Sequence, residues 1–541
     1  MRSLFLHLAA LLGVIACSLF PLPASGTQNG TSPAPEEAIV NSSDQGKGDA
    51  MPSSGVVFDP DRTQPSRLAF FMDSPSEALG VLFTPAVLDW VAKRDANAAM
   101  IFRSFTTARV RSLTVQTNMS NNGILVCLEL PEGNLEGLAA GKVNRQSLAE
   151  AMGQELADGV VAALGADADL PVTANVQAGV HQLQRDVFIG VQDAHLLIGA
   201  TPLLVSMGKK KLQSAKSLVD LPEPKPAIWM RSDCNVHYRP AGQENFVGKN
   251  LQSVVTVKRT EDGWLYDSRS NLSDILPAMG NLEPIDFTAI PLFSDSMPLL
   301  SVALSGSILK ALDTIYIKGL DKSLMSEALD GMPLAQGVLE QAALVLGGIK
   351  ADLLGMEAPG VQAAFNLRED TATAMYDMLK ESLPAQWQEK SAEGWNSVST
   401  SDTVTPGGAP IPASMLLARK GGTLVVGLMR FESLSTPADG SALAYQDQPA
   451  SGVYNIDFQA LWQEIRRLMG NGTVLRKMSR VDVIGAELVD DLLSKEFPVT
   501  ALLLHQGTDA GKVEGHLRET AGETGFLPTL LPILDKIFPA N

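Results

Sequence analysis

Apolar and polar positions along this chain alternate in a way that repeats. Leu68 to Met72 is an apolar run of strand length, and Asp73-Ser74-Pro75 ends it. A helix is predicted next, with Ser74 as N-cap, Pro75 at the first helical position and Glu77 at capping-box distance. The run Leu299 to Leu304 meets Ser305 and an apolar helix in the same way, and the two serines lie 231 residues apart. A hairpin follows each opening. The first has Asn122-Gly123 between two strand-like runs, and the second predicts its turn at Pro359-Gly360. Each hairpin leads to a helix. In the first copy Leu148, Met152, Leu156 and Val160 recur at a spacing of four and predict one continuous helix; in the second it is "TATAMYDMLKESL".

The strand "DAHLLIGATPLL" at 193–204 recurs as "GGTLVVGLMRFE" at 421–432. Apolar openings at 226–238 and 451–462, each followed by a hairpin (253–272 and 499–519), complete the two series. Five elements therefore return in the same order at offsets of 225–248 residues, which argues for a duplication. The predicted fold is α+β: two tandem similar units, 67–278 and 288–541, each a mainly antiparallel sheet with helices packed on one face. A helical insertion is expected near 474–496, a short apolar helix at the C-terminus, and a cleft where the units meet. Residues 27–66, rich in Ser, Gly, Pro and Asn without periodicity, read as a disordered linker, with order starting near Leu68.

The first 26 residues read as a signal peptide: Arg2, an apolar stretch from Leu4 to Phe20, then Pro21, Pro23 and small residues. "VIAC", ending at Cys17, resembles a bacterial lipobox. Cys17 is then either the lipidated mature N-terminus or a residue discarded with an ordinary signal, and the sequence leaves both open. With lipid on Cys17, the 49 residues to Ser66 would form a tether reaching roughly 35–42 Å. No other apolar run is long enough to span a bilayer.

The chain carries a net charge of −18, and cleavage after residue 26 removes only Arg2, giving −19. Such acidity argues against nucleic acid as a partner and against broad adsorption to anionic membranes. One basic cluster, Lys209, Lys210, Lys211 and Lys216, reads as a solvated helix start. Beyond the signal only Cys127 and Cys234 remain; they form either one disulfide or two buried free thiols. His181, His195, His237, His505 and His516 fall in no zinc-binding spacing. Ser307 to Lys310 is an S-x-x-K, and Lys420-Gly421-Gly422-Thr423 faintly resembles the K-T-G strand of penicillin-binding enzymes. The intervening S-D-N is missing, and Ser206 to Lys209 shows how common S-x-x-K is. Acidic pairs such as Asp490-Asp491 read as helix-surface charges. No catalytic, cofactor-binding or metal-ligating residue is therefore assigned, and no cofactor is implied.

The series strand–Ser–helix, hairpin–helix, L-V-I-G strand resembles several uncharacterised secreted bacterial families known only as domains of unknown function. The resemblance covers roughly 68–520 and implies a location in the cell envelope, in the periplasm or on the outer surface of a bacterial membrane. It supplies no active site. The expectation is an exported, non-enzymatic binding or scaffolding protein that holds a protein partner, or an apolar small molecule or lipid, between its units. It would touch the membrane only through an N-terminal lipid anchor. The alternative is a periplasmic hydrolase whose site has no recognisable motif.

Overall fold

The computed structural model describes residues 55–537 except 81–83, 95, 97–98, 100–101, 104–108, 119–122, 164–172, 178, 185, 216, 294–297, 320–322, 324–338, 354–355, 384–386, 405–409, 436–437, 445–447, 471–484, 498 and 520–525. The first half opens with β1 (Val56–Phe58), β2 (Gln64–Asp73), α1 (Pro75–Gly80) and α2 (Pro85–Ala92). The hairpin β3 (Ser112–Asn118) and β4 (Gly123–Glu129) leads to α3 (Glu136–Ala139), α4 (Arg145–Met152) and α5 (Gln154–Ala163). Then come β5 (Thr173–Gln177), β6 (Val180–Gln184), β7 (Val187–Gln192), β8 (His195–Gly199), α6 (Pro202–Ser214), β9 (Ile228–Arg239), β10 (Val247–Thr260) and β11 (Gly263–Ser270).

The second half opens with β12 (Pro291–Leu292), β13 (Leu300–Ser305), α7 (Gly306–Asp313) and β14 (Ile315–Ile317). The hairpin β15 (Leu339–Leu353) and β16 (Met356–Leu367) leads to α8 (Glu369–Ser382). The remaining strands are β17 (Gln388–Ala392), β18 (Trp395–Val404), β19 (Pro410–Lys420), β20 (Thr423–Leu428), β21 (Ala438–Asp439) and β22 (Gly452–Asp457). After them come α9 (Phe458–Leu468), α10 (Ala486–Ser494), β23 (Val499–Gln506), β24 (Lys512–Glu519) and α11 (Phe526–Ile537).

The fold is mixed α+β, dominated by one large antiparallel sheet. Following the ladders, the order is β5-β6-β7-β8-β4-β3-β2-β9-β10-β11 in the first half. It continues as β24-β23-β22-β13-β15-β16-β20-β19-β18-β17 in the second. The halves meet where β11 pairs with β24, from Gly263↔Arg518 to Arg269↔Lys512. A second junction is β1, which lies between β9 (antiparallel) and β14 (parallel). There Asp59, 1% exposed, accepts a 2.9 Å bond from Lys318 Nζ, and Lys318 N–H donates to the carbonyl of Phe58.

Several expectations are corrected. Order begins before Leu68: β1 and the start of β2 lie inside the predicted linker, because Val56-Val57-Phe58 supplies apolar side chains that β9 and β14 cover. Helices do not keep to one face. In β4, Val126 and Leu128 are buried against α3–α5, whereas Leu125 and Cys127 are buried against α6, so an apolar run without alternation is covered on both sides. The helix expected over the first hairpin's exit is two helices, broken at Gly153 with φ +90°. Pro359-Gly360 is no turn. Pro359 pairs with Lys350 inside β16, and a Cβ on Gly360 would sit 2.6 Å from the carbonyl of Leu428. Lys209, Lys210 and Lys211 of the basic cluster occupy the C-terminal half of α6 rather than a helix start, where their charge suits the helix dipole, and Lys216 lies outside the described residues.

Gly123 does open β4, paired with Asn118, while the turn before it lies outside the described residues. The same is true of 471–484, so α10 is the described part of the expected insertion.

Lys318→Met should lower the melting temperature by several degrees at pH 7, because it leaves a buried carboxylate with only the Asp61 N–H and the more distant Arg62, at 3.9 Å, as partners. Lys318 is half-exposed, and solvent screening moderates the loss. The bond to Lys318 holds the Asp59 carboxyl below its ordinary value. The pair therefore stabilises the fold above the usual carboxylate range, and its contribution disappears as pH falls through the folded-state value. Thermal melts of both proteins from about pH 7 down to 3 should converge at the acid end.

Candidate functional site

Paired residues in a ladder point to the same side of the sheet, so the registers define two faces. On one face a row runs across seven strands: Val257, Tyr266, Gly515, Leu504, Tyr454, Val302 and Leu344. Beside it runs a second: Trp264, Leu517, Leu502, Ile456, Leu300 and Leu346. Every residue in these rows except Gly515 is only half-buried or exposed, with Leu344 at 44% and Tyr454 at 40%. None belongs to a buried cluster among the described residues.

The opposite face of the same strands inverts the usual rule. In β13, Ser301, Ala303 and Ser305 are buried, while Leu300, Val302 and Leu304 face the open side. In β15 and β16 the buried positions include Gln341, Gln362 and Asn366. Those three amides are satisfied by the loop before β13. Gln341 accepts from Asp286 N–H and donates to its carbonyl at 2.9 and 2.8 Å. Gln362 does the same with Phe293 N–H and the carbonyl of Pro291, and Asn366 donates to the carbonyl of Ala289. The loop is thereby clamped to the back of the sheet, over a core of small and apolar residues including Ala303, Ala343 and Ala364.

The leucine-bearing face is bounded on all sides. On the first half's flank, α3–α5 pack on this face through Leu138, Leu148 and Met152. On the second half's flank, α8 packs through Ala372 and Tyr376 against Leu417 and Leu424. One end is plugged: Ile275, Leu276, Met279 and Leu282 of the connector, with Ile308 and Ala311 of α7, pack on Val236, Tyr238 and Leu251. At the other end α2, α9, α10 and α11 gather. They pack on one another through Val489 and Ile533 and through the 2.6 Å Arg94–Asp535 bridge. The result is a trough with an apolar floor.

Tyr454 is 40% exposed, and desolvation pushes its phenol up. Burial pushes the Tyr266 phenol up as well. A dozen half-covered apolar side chains leave on the order of 10 kcal/mol of transfer free energy unrealised, and an apolar occupant could recover it.

The sequence-derived candidates do not converge here. The Ser307 hydroxyl bonds Ser305 Oγ at 2.8 Å and accepts from Glu283 N–H, a capping arrangement without Lys310. Lys420 donates to the carbonyl of Glu393, and Lys209 to that of Gly179 rather than to Ser206. His505 is buried in β23 and His181 under Gly141. Among the described residues, no group of three or more His, Cys, Asp or Glu could hold a metal ion. No described helix is long and apolar enough to cross a membrane. Cys17 lies outside the described residues. What sequence reading missed is the trough floor, because alternation in β13 and β22 marks two faces without saying which is covered.

Cys127 and Cys234 are both free, and the disulfide is not formed. They sit on β4 and β9 with β3 and β2 between, so three strand spacings alone separate them by about 14 Å, and Cys127 is level with Trp229 rather than with Cys234, which puts them beyond the reach of a disulfide. Burial pushes the Cys127 thiol up to about 12 and raises that of Cys234. Non-reducing peptide mapping should find no linked pair, and Cys127 should resist a thiol reagent at pH 8 until the protein is denatured. No protein-family model matches the chain, no curated protein matches it and no solved structure matches it, so the reading of this site rests on its own residues.

Proposed function

We propose that this is an exported, non-enzymatic cell-envelope protein that binds an apolar ligand, an acyl chain in chemical terms, in the trough between two related halves. The observation that carries the reading is the inverted sheet: leucines line an accessible concavity while serines and amides are buried behind them. An ordinary core would use these side chains the other way round.

The relatedness of the halves is part of the proposal. The strand order β5-β6-β7-β8-β4-β3-β2-β9-β10-β11 and the order β17-β18-β19-β20-β16-β15-β13-β22-β23-β24 agree place by place. The sequence fragments that recur at a near-constant offset fall on matching places, β8 with β20 and β3–β4 with β15–β16. A duplicated unit joined through its last strands accounts for a floor that runs from β10 and β11 of one copy onto β24, β23, β22, β13 and β15 of the other.

An acyl chain suits the floor better than a protein segment does. The two rows offer hardly any hydrogen-bonding group beyond the tyrosine hydroxyls and the Trp264 indole, and the latter is already bonded to Glu519. Five strand spacings from Leu300 to the far edge of β10 span about 24 Å, ample for a chain that fills one leaflet of a roughly 30 Å hydrocarbon core. Export to the periplasm or to an outer membrane surface, with or without lipid on Cys17, places such a carrier beside its ligands. The signal-like residues 1–26 support that location.

Organic extraction of the purified full chain followed by mass spectrometry should recover acyl lipid. The double variant Leu344→Glu, Tyr454→Glu should retain about tenfold less, since a charge on the floor opposes apolar occupancy. Its melting temperature should stay within a few degrees of wild type, because neither side chain is buried. Recovery of no lipid from the wild type, or equal recovery from both proteins, would sink the carrier reading.

A further inference from the structure

The second floor row ends in a charge. Arg259 pairs with Trp264 across β10 and β11, so it follows Trp264, Leu517, Leu502, Ile456 and Leu300 on the same face. It stands at the end where α2, α9, α10 and α11 gather, opposite the plugged end. Its guanidinium lies 5.1 Å from the Trp264 ring centroid, and its side chain is exposed. Among the described residues it has no ion-pair partner.

Two other charged side chains near this row have hydrogen-bond partners. Lys249, at the plugged end, donates to the carbonyl of Asp274 at 2.7 Å. Glu519 accepts from the Trp264 indole and so fixes the ring beneath Arg259. In a chain of net charge −18, the one charge that the described residues place in this row is a cation, held at the β10 end of the row by an aromatic platform. An aromatic face orients a guanidinium while leaving its N–H fork free for an oxyanion.

We infer that the ligand is an anionic amphiphile: its acyl chain lies along the Trp264–Leu300 row, and its carboxylate or phosphate is received by Arg259. This rests on the trough being the ligand site and adds the headgroup. It also orients the ligand along the row, tail toward β13 and head toward β10.

The test compares laurate, lysophosphatidylglycerol and uncharged dodecanol on the full chain stripped of endogenous ligand. Displacement of a neutral fluorescent hydrocarbon probe provides the readout. At least one of the two anions should bind about tenfold more tightly than dodecanol, the scale of one charge-assisted bond. Arg259→Gln should abolish that preference without changing dodecanol affinity, and Arg259→Lys should keep part of it. Preference for laurate would identify a carboxylate head, and preference for the lysophospholipid a phosphate, each supporting the inference if Arg259→Gln removes it. Equal binding of all three ligands, or a preference that survives Arg259→Gln, overturns the headgroup assignment and leaves the trough standing. Failure of all three to displace the probe overturns both. Since Arg259 is exposed, circular dichroism and melting of the variants should match wild type.

Discussion

Seven residue pairs between β11 and β24 make one sheet out of two ladders, and most of the architecture follows from them. Without that pairing each half would end in an open edge whose N–H and C=O groups face water. With it, β10, β11, β24 and β23 become central strands, and the rows Val257–Leu344 and Trp264–Leu346 become continuous. The approach of the strands is close. Gly263, with φ +147°, meets Leu517 where an added Cβ would lie 2.0 Å from its carbonyl oxygen. The flanking helices are tied to the outer strands of each half, so the distance between the trough walls is set by the strands in between.

The back of the sheet explains how the open face can be tolerated. Burial in the second half is spent on the Ala303, Ala343 and Ala364 layer and on the connector clamped by Gln341, Gln362 and Asn366. Each amide satisfies backbone groups that the connector, whose own ladder is only the two-residue pairing of β12 with β21, would otherwise bury unpaired. The trough floor therefore contributes little to holding the sheet flat against its neighbours. Its leucines are free to be selected for what they contact rather than for what they stabilise.

The hairpins, the helices after them and the L-V-I-G strands were legible because period-two alternation and turn residues are local signals. The strand β1 was not, since three apolar residues in a polar stretch become a strand only when β9 and β14 supply the pairing. The Pro359-Gly360 reversal misled for a related reason: the glycine is required by the closeness of Leu428 in a neighbouring strand, not by a turn. The floor was hidden most completely. "LSVALS" reads as a strand with a leucine face toward the core, and only the three-dimensional placement of the connector shows that the serine face is the covered one. Arg259 carries no sequence signal beyond being a charge at a strand end.

The junction of β11 with β24 has one further implication. Both strands hold the last place in their run and meet antiparallel, with Tyr266 opposite Gly515 at the middle. An edge that fits its own counterpart in this way is self-complementary. Had either half once been a free-standing protein, that edge would have sought a second copy of itself, and the trough would have belonged to a symmetric dimer. If the halves are duplicates, as proposed, fusing two such copies into one polypeptide would make assembly independent of concentration. It would also release each copy from the need to remain identical, so that a residue such as Arg259 could stand at one end of a row without a twin.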